Sequence, residues 1–213
     1  HVDSSAASDV YKRQINGEAA VYFSNKVKSI SGGDVQLRFH EPNALVPSLE
    51  VWDAVKNGSV DAGYTTPGYH AGKIPAVSYF TAVPFGPGAS EYHGWMEYGG
   101  GQQLKDRIYG EYGLKALNCL THAPETSGWF RKKINNVEEL KGMKMRFFGL
   151  GAMVMSKLGV STQLLAGGDI YPALEKGVID ATEFSMPTHD LSYGFYQLAK
   201  FNYFPGWHQQ TSI

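Results

Sequence analysis

LKGMKMRFFGLGAMVMSKLGVSTQLLAGGDIYPALEKGVIDATEFSMP, residues 140–187, contains the pattern that decides the fold of this chain. Short β-type runs alternate in it with helical runs: strands at 144–149, 161–165 and 178–184, helices at 150–158 and 167–177. Strands that alternate with helices form a parallel sheet with helical crossovers. We therefore predict an α/β fold.

Two charged residues stand where strands of this stretch end. Arg146 is the one guanidinium in KMRFFG, and Glu183 lies at the end of VIDATEF. An arginine among apolar residues is costly to bury unless it is paired. Parallel sheets bind ligands beyond the carboxyl ends of their strands, so both residues are candidates for a binding site.

Part of the stretch has a counterpart earlier in the chain. AVKNGSVDAGY (54–64) and ALEKGVIDATEF (173–184) both run from a helix end through a glycine and a β-branched residue to Asp-Ala in a strand. The copies are too far apart for a solenoid. One helix–glycine–strand unit in each of two lobes explains them, although chance similarity stays open because glycine commonly ends helices.

Composition excludes several classes of protein. The 213 residues carry a net charge of −1 and are 43% hydrophobic, which suits one large or two small globular units. The sequence contains no basic run, so neither nucleic acid nor an anionic membrane is expected as a partner. Cys119 is the one cysteine, which excludes an internal disulfide and favours a small buried hydrophobe over a nucleophile.

The two ends of the chain have unusual patterns. Residues 1–14 have no periodicity and do not begin with Met, so we expect a non-native, disordered leader outside the fold. The chain stops at QQTSI without a tail or cap. We expect a fold that is incomplete at both termini, with no strand ahead of the first helix at 15–33.

Other periodic runs predict the remaining elements. We expect strands at 34–40, 59–64 and 114–120, a turn and helix at 41–58, and a helix at 188–201. A glycine- and proline-broken loop at 65–75 follows a strand directly, which is a common place for a binding loop.

Eight segments of the chain resemble the substrate-binding proteins of tripartite ATP-independent periplasmic (TRAP) transporters. They span 45–210 in one order: LVPSLEVWDAVKNGSVDAGY, AGKIPAVSYFTAVPFG, YGGGQQL, GWFRKKI, LKGMKMR, GLGAMVMSKLG, GGDIYPALEKGVIDATEF and FPGWHQQ. The branch that binds 2-oxo and 2-hydroxy acids is the most similar. The resemblance implies a two-lobe periplasmic-binding-protein-like fold, type II-like, with lobe 1 at 15–122, lobe 2 at 123–206, and 207–213 returning to lobe 1.

The resemblance also implies a function. A small carboxylate ligand lies in the cleft between the lobes, and the protein delivers it to the TRAP transporter membrane subunits. The implied location is the periplasm, no organic cofactor is expected, and the full-length protein could form a homodimer.

The same resemblance assigns roles to individual residues. Arg146 pairs with the ligand carboxylate, because a guanidinium offers two parallel N–H donors in the geometry a carboxylate accepts. Glu183 and the backbone carbonyl of Phe184 hold a metal ion, Ca²⁺ or Na⁺, beside the ligand. Glu125 stands where the family usually has a glutamine that reaches the metal, and Tyr69 and Trp207 wall the cleft.

Each of these roles has a simpler alternative. Arg146 could form a structural salt bridge with an internal carboxylate, and Glu183 could be an exposed glutamate at a strand end. Glu125 could face water, while Tyr69 and Trp207 could be ordinary core residues. His122, His189 and His208 have no zinc-type spacing, so we expect solvated or capping roles for them.

The charge of Glu125 affects which cation the site is expected to prefer. A second glutamate beside Glu183 adds a negative charge, which favours a divalent cation such as Ca²⁺. Without thiolates, a soft metal is not expected.

Two other functions compete with ligand uptake. A metal-assisted hydrolase would use Glu125, Glu183 and a nearby histidine, but the sequence has no nucleophile elbow or cofactor fingerprint. We therefore predict that the protein is not an enzyme. A ligand-sensing domain on the same fold is the other alternative.

Overall fold

The computed structural model describes residues 2–208 as two β-sheets with helices packed around them. The first part of the chain contains β1 (Val2–Ser8), α1 (Ile15–Ile30), β2 (Val35–Phe39), α2 (Val51–Lys56), β3 (Ala62–Tyr64), α3 (Ala89–Tyr98) and α4 (Gly101–Gly110). The second part contains β4 (Gly128–Phe130), β5 (Lys144–Arg146), α5 (Gly149–Lys157), β6 (Ser161–Gln163), α6 (Gly167–Glu175), β7 (Ala181–Thr182), α7 (Pro187–Tyr193) and β8 (Phe201–Tyr203). Short 3₁₀ helices lie at Ser48–Glu50, Pro67–His70, Pro75–Phe80, Val137–Leu140 and Phe195–Gln197.

The first sheet has the order β2-β1-β3, and β1 runs parallel to both neighbours. The expectation of a disordered leader with no strand ahead of the first helix is therefore wrong for residues 2–8. Ala6 and Ala7 are buried beneath the side chains of other elements, among them Tyr64 and Val51. Large side chains from neighbouring elements fill the space around this central strand, so small residues are enough within it. Its sequence therefore lacks the alternation of apolar and polar residues that predicts a strand.

The second sheet has the order β6-β5-β7-β4-β8. Its β5, β6 and β7 are parallel, which confirms the parallel unit predicted for residues 140–187. The sheet is mixed, because β4 lies antiparallel to β7 and β8. Arg146 ends β5, and Glu183 follows β7 on the adjacent parallel strand.

The repeated helix–glycine–strand unit has the same hydrogen bonds in both copies. After each helix, Gly58 and Gly177 have φ values of 71° and 70°, which an L side chain rarely adopts. An aspartate then caps the neighbouring strand: the carboxylate of Asp61 accepts from the Ser5 amide at 2.7 Å, and that of Asp180 accepts from the Lys144 amide at 3.0 Å. The two-lobe interpretation of the repeat therefore has a structural counterpart in each sheet.

Two predicted elements differ from the structure. Residues 114–120 form no strand, and within residues 2–208 no β-ladder includes them. The helix predicted at 188–201 ends at Tyr193, because Gly194 takes a left-handed conformation with φ 76° as its C-cap. The chain then enters β8, which pairs with β4. Among residues 2–208, no helix combines the length and apolar character that crossing a membrane requires.

Candidate functional site

Arg146 and Glu183 meet at the carboxyl ends of β5 and β7. Arg146 Nη1 donates to Glu183 Oε2 at 2.9 Å and to the Glu183 carbonyl at 2.6 Å, and its Nε donates to the Leu165 carbonyl at 3.2 Å. Both side chains are buried, with Arg146 1% and Glu183 0% exposed. Glu183 is therefore not an exposed strand-end residue. The internal salt bridge considered as an alternative for Arg146 is present.

Aromatic rings frame this ion pair. The guanidinium carbon of Arg146 lies 5.0 Å from the Phe184 ring centroid and 5.8 Å from that of Phe148, within cation–π range. Tyr69 packs edge-on against Phe148 with centroids 5.6 Å apart. Burial raises the pKa of Tyr69 above its usual range, so its hydroxyl stays protonated. The rings therefore restrict the orientation of the guanidinium.

A buried cluster of two carboxylates and an imidazole lies beside Arg146. Glu125, Glu183 and His208 each offer one ligand atom within 4.8 Å of the others. His208 Nε2 is 3.1 Å from Glu125 Oε2 and 3.3 Å from Glu183 Oε1. These are ion-pair distances without hydrogen-bond geometry, and both oxygens lack a hydrogen-bond partner among the described residues.

The charges of this cluster stabilise one another. Burial disfavours the Glu125 carboxylate, but contacts with His122 and His208 outweigh it and bring the Glu125 pKa to about 2. Burial likewise disfavours the His208 imidazolium, but contacts with Glu125 and Glu183 raise the His208 pKa to about 10. In the absence of a bound cation, His208 therefore balances one of the two glutamate charges.

Strand-like pairing places His208 in the cluster. Pro84 and His208 form an antiparallel bridge, and the Phe85 amide donates to the Trp207 carbonyl at 2.8 Å. Trp207 itself stacks on Phe147, with ring centroids 5.5 Å apart. Trp207 is not among the described residues that line the nearby cavity, and its contact with Phe147 fits the core alternative. Its expected place in the cleft wall stays a prediction. Residues 209–213 of the returning segment lie outside the described residues.

The histidines do not have the solvated or capping roles expected of them. His122, His189 and His208 are 5%, 0% and 1% exposed, and all three lie in or beside the site. A hydrogen-bonded chain runs from Glu125 Oε1 to His122 Nδ1 at 3.4 Å and from His122 Nε2 to Asn16 Oδ1 at 2.9 Å. It ends with Asn16 Nδ2 at 3.5 Å from His189 Nδ1.

A cavity of about 30 Å³ lies at the centre of these groups. Asp9 and Tyr69 line it from the first part of the chain, while Glu125, Arg146 and His189 line it from the second. The cavity is far smaller than the roughly 300–1,000 Å³ that drug-sized ligands occupy. Burial raises the pKa of Asp9 to about 7, which reduces the negative charge that a carboxylate ligand would meet.

A larger cavity of about 440 Å³ lies between β3 and residues 113–119. Its lining is mostly apolar, with the buried Lys105, whose pKa burial lowers to about 8, and the half-buried Cys119. We place the functional site at the smaller cavity, because the paired guanidinium and the carboxylate cluster lie there.

Asp190, on α7, lies beneath the site and is 0% exposed. Its Oδ2 accepts from Trp129 Nε1 at 2.8 Å and from Thr126 Oγ1 at 3.3 Å, whereas Oδ1 has no hydrogen-bond partner among the described residues. Burial raises the Asp190 pKa well above its usual range. The folded protein therefore holds a proton that the unfolded chain releases near pH 4.

We expect Asp190→Asn to raise the melting temperature at pH 8 by roughly 2–4 °C. The folded-state pKa is raised, so wild-type stability falls as pH rises from about 4 towards that pKa, whereas the amide does not titrate and still accepts from Trp129. At pH 4 the two proteins should melt alike. Thermal melts at both pH values test this, and equal melting temperatures at pH 8 would contradict it.

Comparison with known proteins assigns the family. The family described as bacterial extracellular solute-binding protein, family 7 (DctP) matches residues 6–213. The chain belongs to this family. The resemblance found in the sequence is thereby confirmed, and the match includes the end of β1.

Relatives of this DctP chain support the two-lobe fold. A monocarboxylate 2-oxoacid-binding periplasmic protein of Nostoc sp. is 40% identical over 184 residues, covering 86% of this chain and 50% of that protein. A TRAP periplasmic solute-binding protein from Pseudoalteromonas atlantica with bound sodium and pyruvate has a TM-score of 0.94 at 35% identity, over 99% of this chain and 64% of its own. One from Colwellia psychrerythraea with bound calcium and pyruvate has a TM-score of 0.93 at 36% identity, again over 99% and 64%.

These values also define how much of a DctP protein the chain represents. The chain spans about half the length of the curated relative and 64% of each of the two solved chains. The fold class predicted from the sequence, a two-lobe α/β periplasmic binding protein, is confirmed.

Proposed function

We propose that this protein binds a small 2-oxo or 2-hydroxy acid together with a cation in the cleft between its lobes. The observation that carries the proposal is the buried Arg146, held at the end of β5 beside two carboxylates that each keep an oxygen without a hydrogen-bond partner among residues 2–208. The pyruvate in the two solved relatives is a 2-oxo acid.

Arg146 is the group that would take the ligand carboxylate. A guanidinium has five N–H donors, and Nε and both hydrogens of Nη1 are used by Leu165 and Glu183. The two Nη2 hydrogens remain, and because they diverge from one nitrogen, a ligand carboxylate oxygen would accept one of them rather than a parallel pair of donors. Because the other bonds fix the guanidinium in advance, ligand binding need not order it.

Glu125 and Glu183 would hold the cation, with the Phe184 backbone carbonyl as a further oxygen ligand. Carboxylate and carbonyl oxygens are the ligands that Ca²⁺ takes in proteins. Two glutamates and the ligand carboxylate supply three negative charges, and Arg146 offsets one. A divalent cation balances the rest if His208 is neutral, whereas Na⁺ does so if His208 is protonated.

Isothermal titration calorimetry tests the proposal. The purified protein is freed of metal with a chelator and titrated with pyruvate, first without a cation and then with Na⁺ or Ca²⁺ added back. We expect binding with at least one cation and much weaker binding without either. If a cooperatively melting protein bound no small 2-oxo or 2-hydroxy acid with either cation, the proposed function would be wrong.

Glu125→Gln should change which cation supports binding. Removing one carboxylate charge is expected to weaken Ca²⁺-supported pyruvate binding about tenfold more than Na⁺-supported binding, which corresponds to about 1.4 kcal/mol. The same titration in each cation measures this. Glu138→Gln is a control, since Glu138 is exposed and outside the cavity. An unchanged ratio between the two cations would mean that Glu125 does not set the ion preference.

The wider role follows from the family. DctP proteins are extracellular solute-binding proteins, which supports binding rather than turnover and therefore disfavours the hydrolase alternative. We place the protein in the periplasm, delivering its ligand to TRAP transporter membrane subunits. The lobe bounds of 15–122 and 123–206 are retained with β1 added to lobe 1, and the homodimer of the full-length protein stays a prediction.

A further inference from the structure

His189 presents a buried polar atom to the ligand cavity. The side chain is 0% exposed and lines the cavity, and its Nε2 has no hydrogen-bond partner among residues 2–208. Phe184 and Tyr193 pack against the ring at centroid distances of 5.5 and 5.3 Å, so the imidazole is held in place. Buried polar groups in proteins are nearly always hydrogen-bonded, so this nitrogen requires a partner that enters the cavity.

Asn16 determines whether that nitrogen is a donor or an acceptor. Asn16 Oδ1 lies 2.9 Å from His122 Nε2 and can only accept, so the ring hydrogen of His122 lies on that side. The arrangement holds whether or not His122 Nδ1 also carries a hydrogen. The Asn16 amide nitrogen consequently faces His189 Nδ1 at 3.5 Å and donates to it.

The hydrogen of His189 must then lie on the other nitrogen. A neutral imidazole that accepts at Nδ1 carries its hydrogen on Nε2. We propose that His189 donates this Nε2–H to the 2-oxo oxygen of the ligand and is a specificity residue favouring 2-oxo over 2-hydroxy acids. The inference rests on the proposed function and names the ligand class within it.

The preference follows from what each ligand oxygen can do. A 2-oxo oxygen only accepts, so the Nε2–H satisfies it directly. A 2-hydroxyl oxygen can also accept, but its own hydrogen then needs a second acceptor, and the carboxylate oxygens of Glu125 and Glu183 that lack a partner among the described residues are the ones the cation would take. A buried donor without a partner weakens binding. If Nε2 were an acceptor, the 2-oxo oxygen would face its lone pair, and the protein would prefer 2-hydroxy acids to 2-oxo acids.

Asn16→Asp tests the inference because it reverses which His189 ring nitrogen donates a hydrogen bond and which accepts one. A carboxylate cannot donate, so a neutral His189, which its low pKa of about 4 favours because of burial, turns its hydrogen to Nδ1 and presents Nε2 as an acceptor. We expect the ratio of pyruvate to lactate affinity to fall about tenfold, the size of one hydrogen bond. The ratio cancels the effect of the added charge, because both acids carry the same carboxylate. Asn135→Asp, exposed and outside the cavity, should leave the ratio unchanged.

A second readout needs no ligand. The ¹⁵N chemical shifts of the His189 ring distinguish the two tautomers, and we expect the hydrogen on Nε2 in the wild type and on Nδ1 in Asn16→Asp. Should Asn16→Asp fail to fold, His189→Phe keeps the ring and removes the donor, and pyruvate affinity should fall about tenfold.

The outcomes separate the two proposals. Wild-type protein that binds neither acid with either cation overturns the proposed function and this inference with it. Wild-type protein that binds pyruvate while Asn16→Asp leaves the affinity ratio unchanged overturns the role of His189 alone. So does unchanged pyruvate affinity in His189→Phe.

Discussion

Replacing Arg146 with lysine should weaken pyruvate binding by about 100-fold or more. Lysine has a single ammonium group, which cannot donate to the ligand carboxylate and also keep the bonds to the carbonyls of Leu165 and Glu183. The Leu165 carbonyl is then left without this donor, at a cost of about 1–3 kcal/mol, whereas the Glu183 carbonyl keeps its bond from Thr182 Oγ1 at 2.9 Å. Calorimetry with pyruvate and the supporting cation measures the loss.

A control variant shows whether the loss of affinity is specific to Arg146 or follows from replacing any arginine with lysine. Arg107 lies on the exposed side of α4, away from the cavity, so Arg107→Lys should bind pyruvate like the wild type. A melt of Arg146→Lys shows that the variant is folded. Wild-type affinity in a folded Arg146→Lys would mean that the Arg146–Glu183 pair is structural and that the carboxylate binds elsewhere.

Adding one methyl group at Gly68 should weaken pyruvate binding about 10- to 100-fold. Gly68 lies in the Pro67–His70 turn of lobe 1, and a Cβ there would be 2.1 Å from Cζ of Phe148 in lobe 2. The Phe148 ring cannot easily move, because it is 5% exposed and packs against Tyr69 and Arg146. Overpacking of this kind costs about 1–3 kcal/mol, and opening the lobes relieves it.

Gly72→Ala is the control for this prediction. Gly72 follows the same turn, and a Cβ there meets nothing within 4 Å. We expect Gly68→Ala to lose affinity while its melting temperature without ligand stays close to that of Gly72→Ala, because the overlap exists only when the lobes are close together. Equal affinity in the two variants would show that Gly68 is not needed for the contact between lobes.

Local patterns in the sequence predicted the elements whose formation depends on residues close to them in the sequence. The parallel unit in residues 140–187 was predictable, because each strand is bounded by a glycine stop and each helix buries one face. The repeat shared by α2-β3 and α6-β7 was visible for the same reason. The strand β1 was not predicted, because its small residues are buried by neighbours distant in sequence.

The site residues also divide into those that the sequence could predict and those that it could not. Arg146 and Glu183 could be chosen from the sequence, because both stand at the ends of strands. The roles of His122, His189 and His208 could not, because these residues come from three separate segments and have no spacing that reveals their proximity. The one local signal was that His122 precedes Glu125 by three residues.

By itself, the sequence determined the α/β class, the family, and the guanidinium and carboxylate that end two of its strands. These depend on residue type and short-range periodicity, which a single chain displays directly. The tertiary structure decided that His208 completes a cluster with Glu125 and Glu183, that Trp207 stacks on Phe147, and that Asn16 orients His189. Such contacts depend on the register between strands and on packing between the lobes, which join residues up to 173 positions apart.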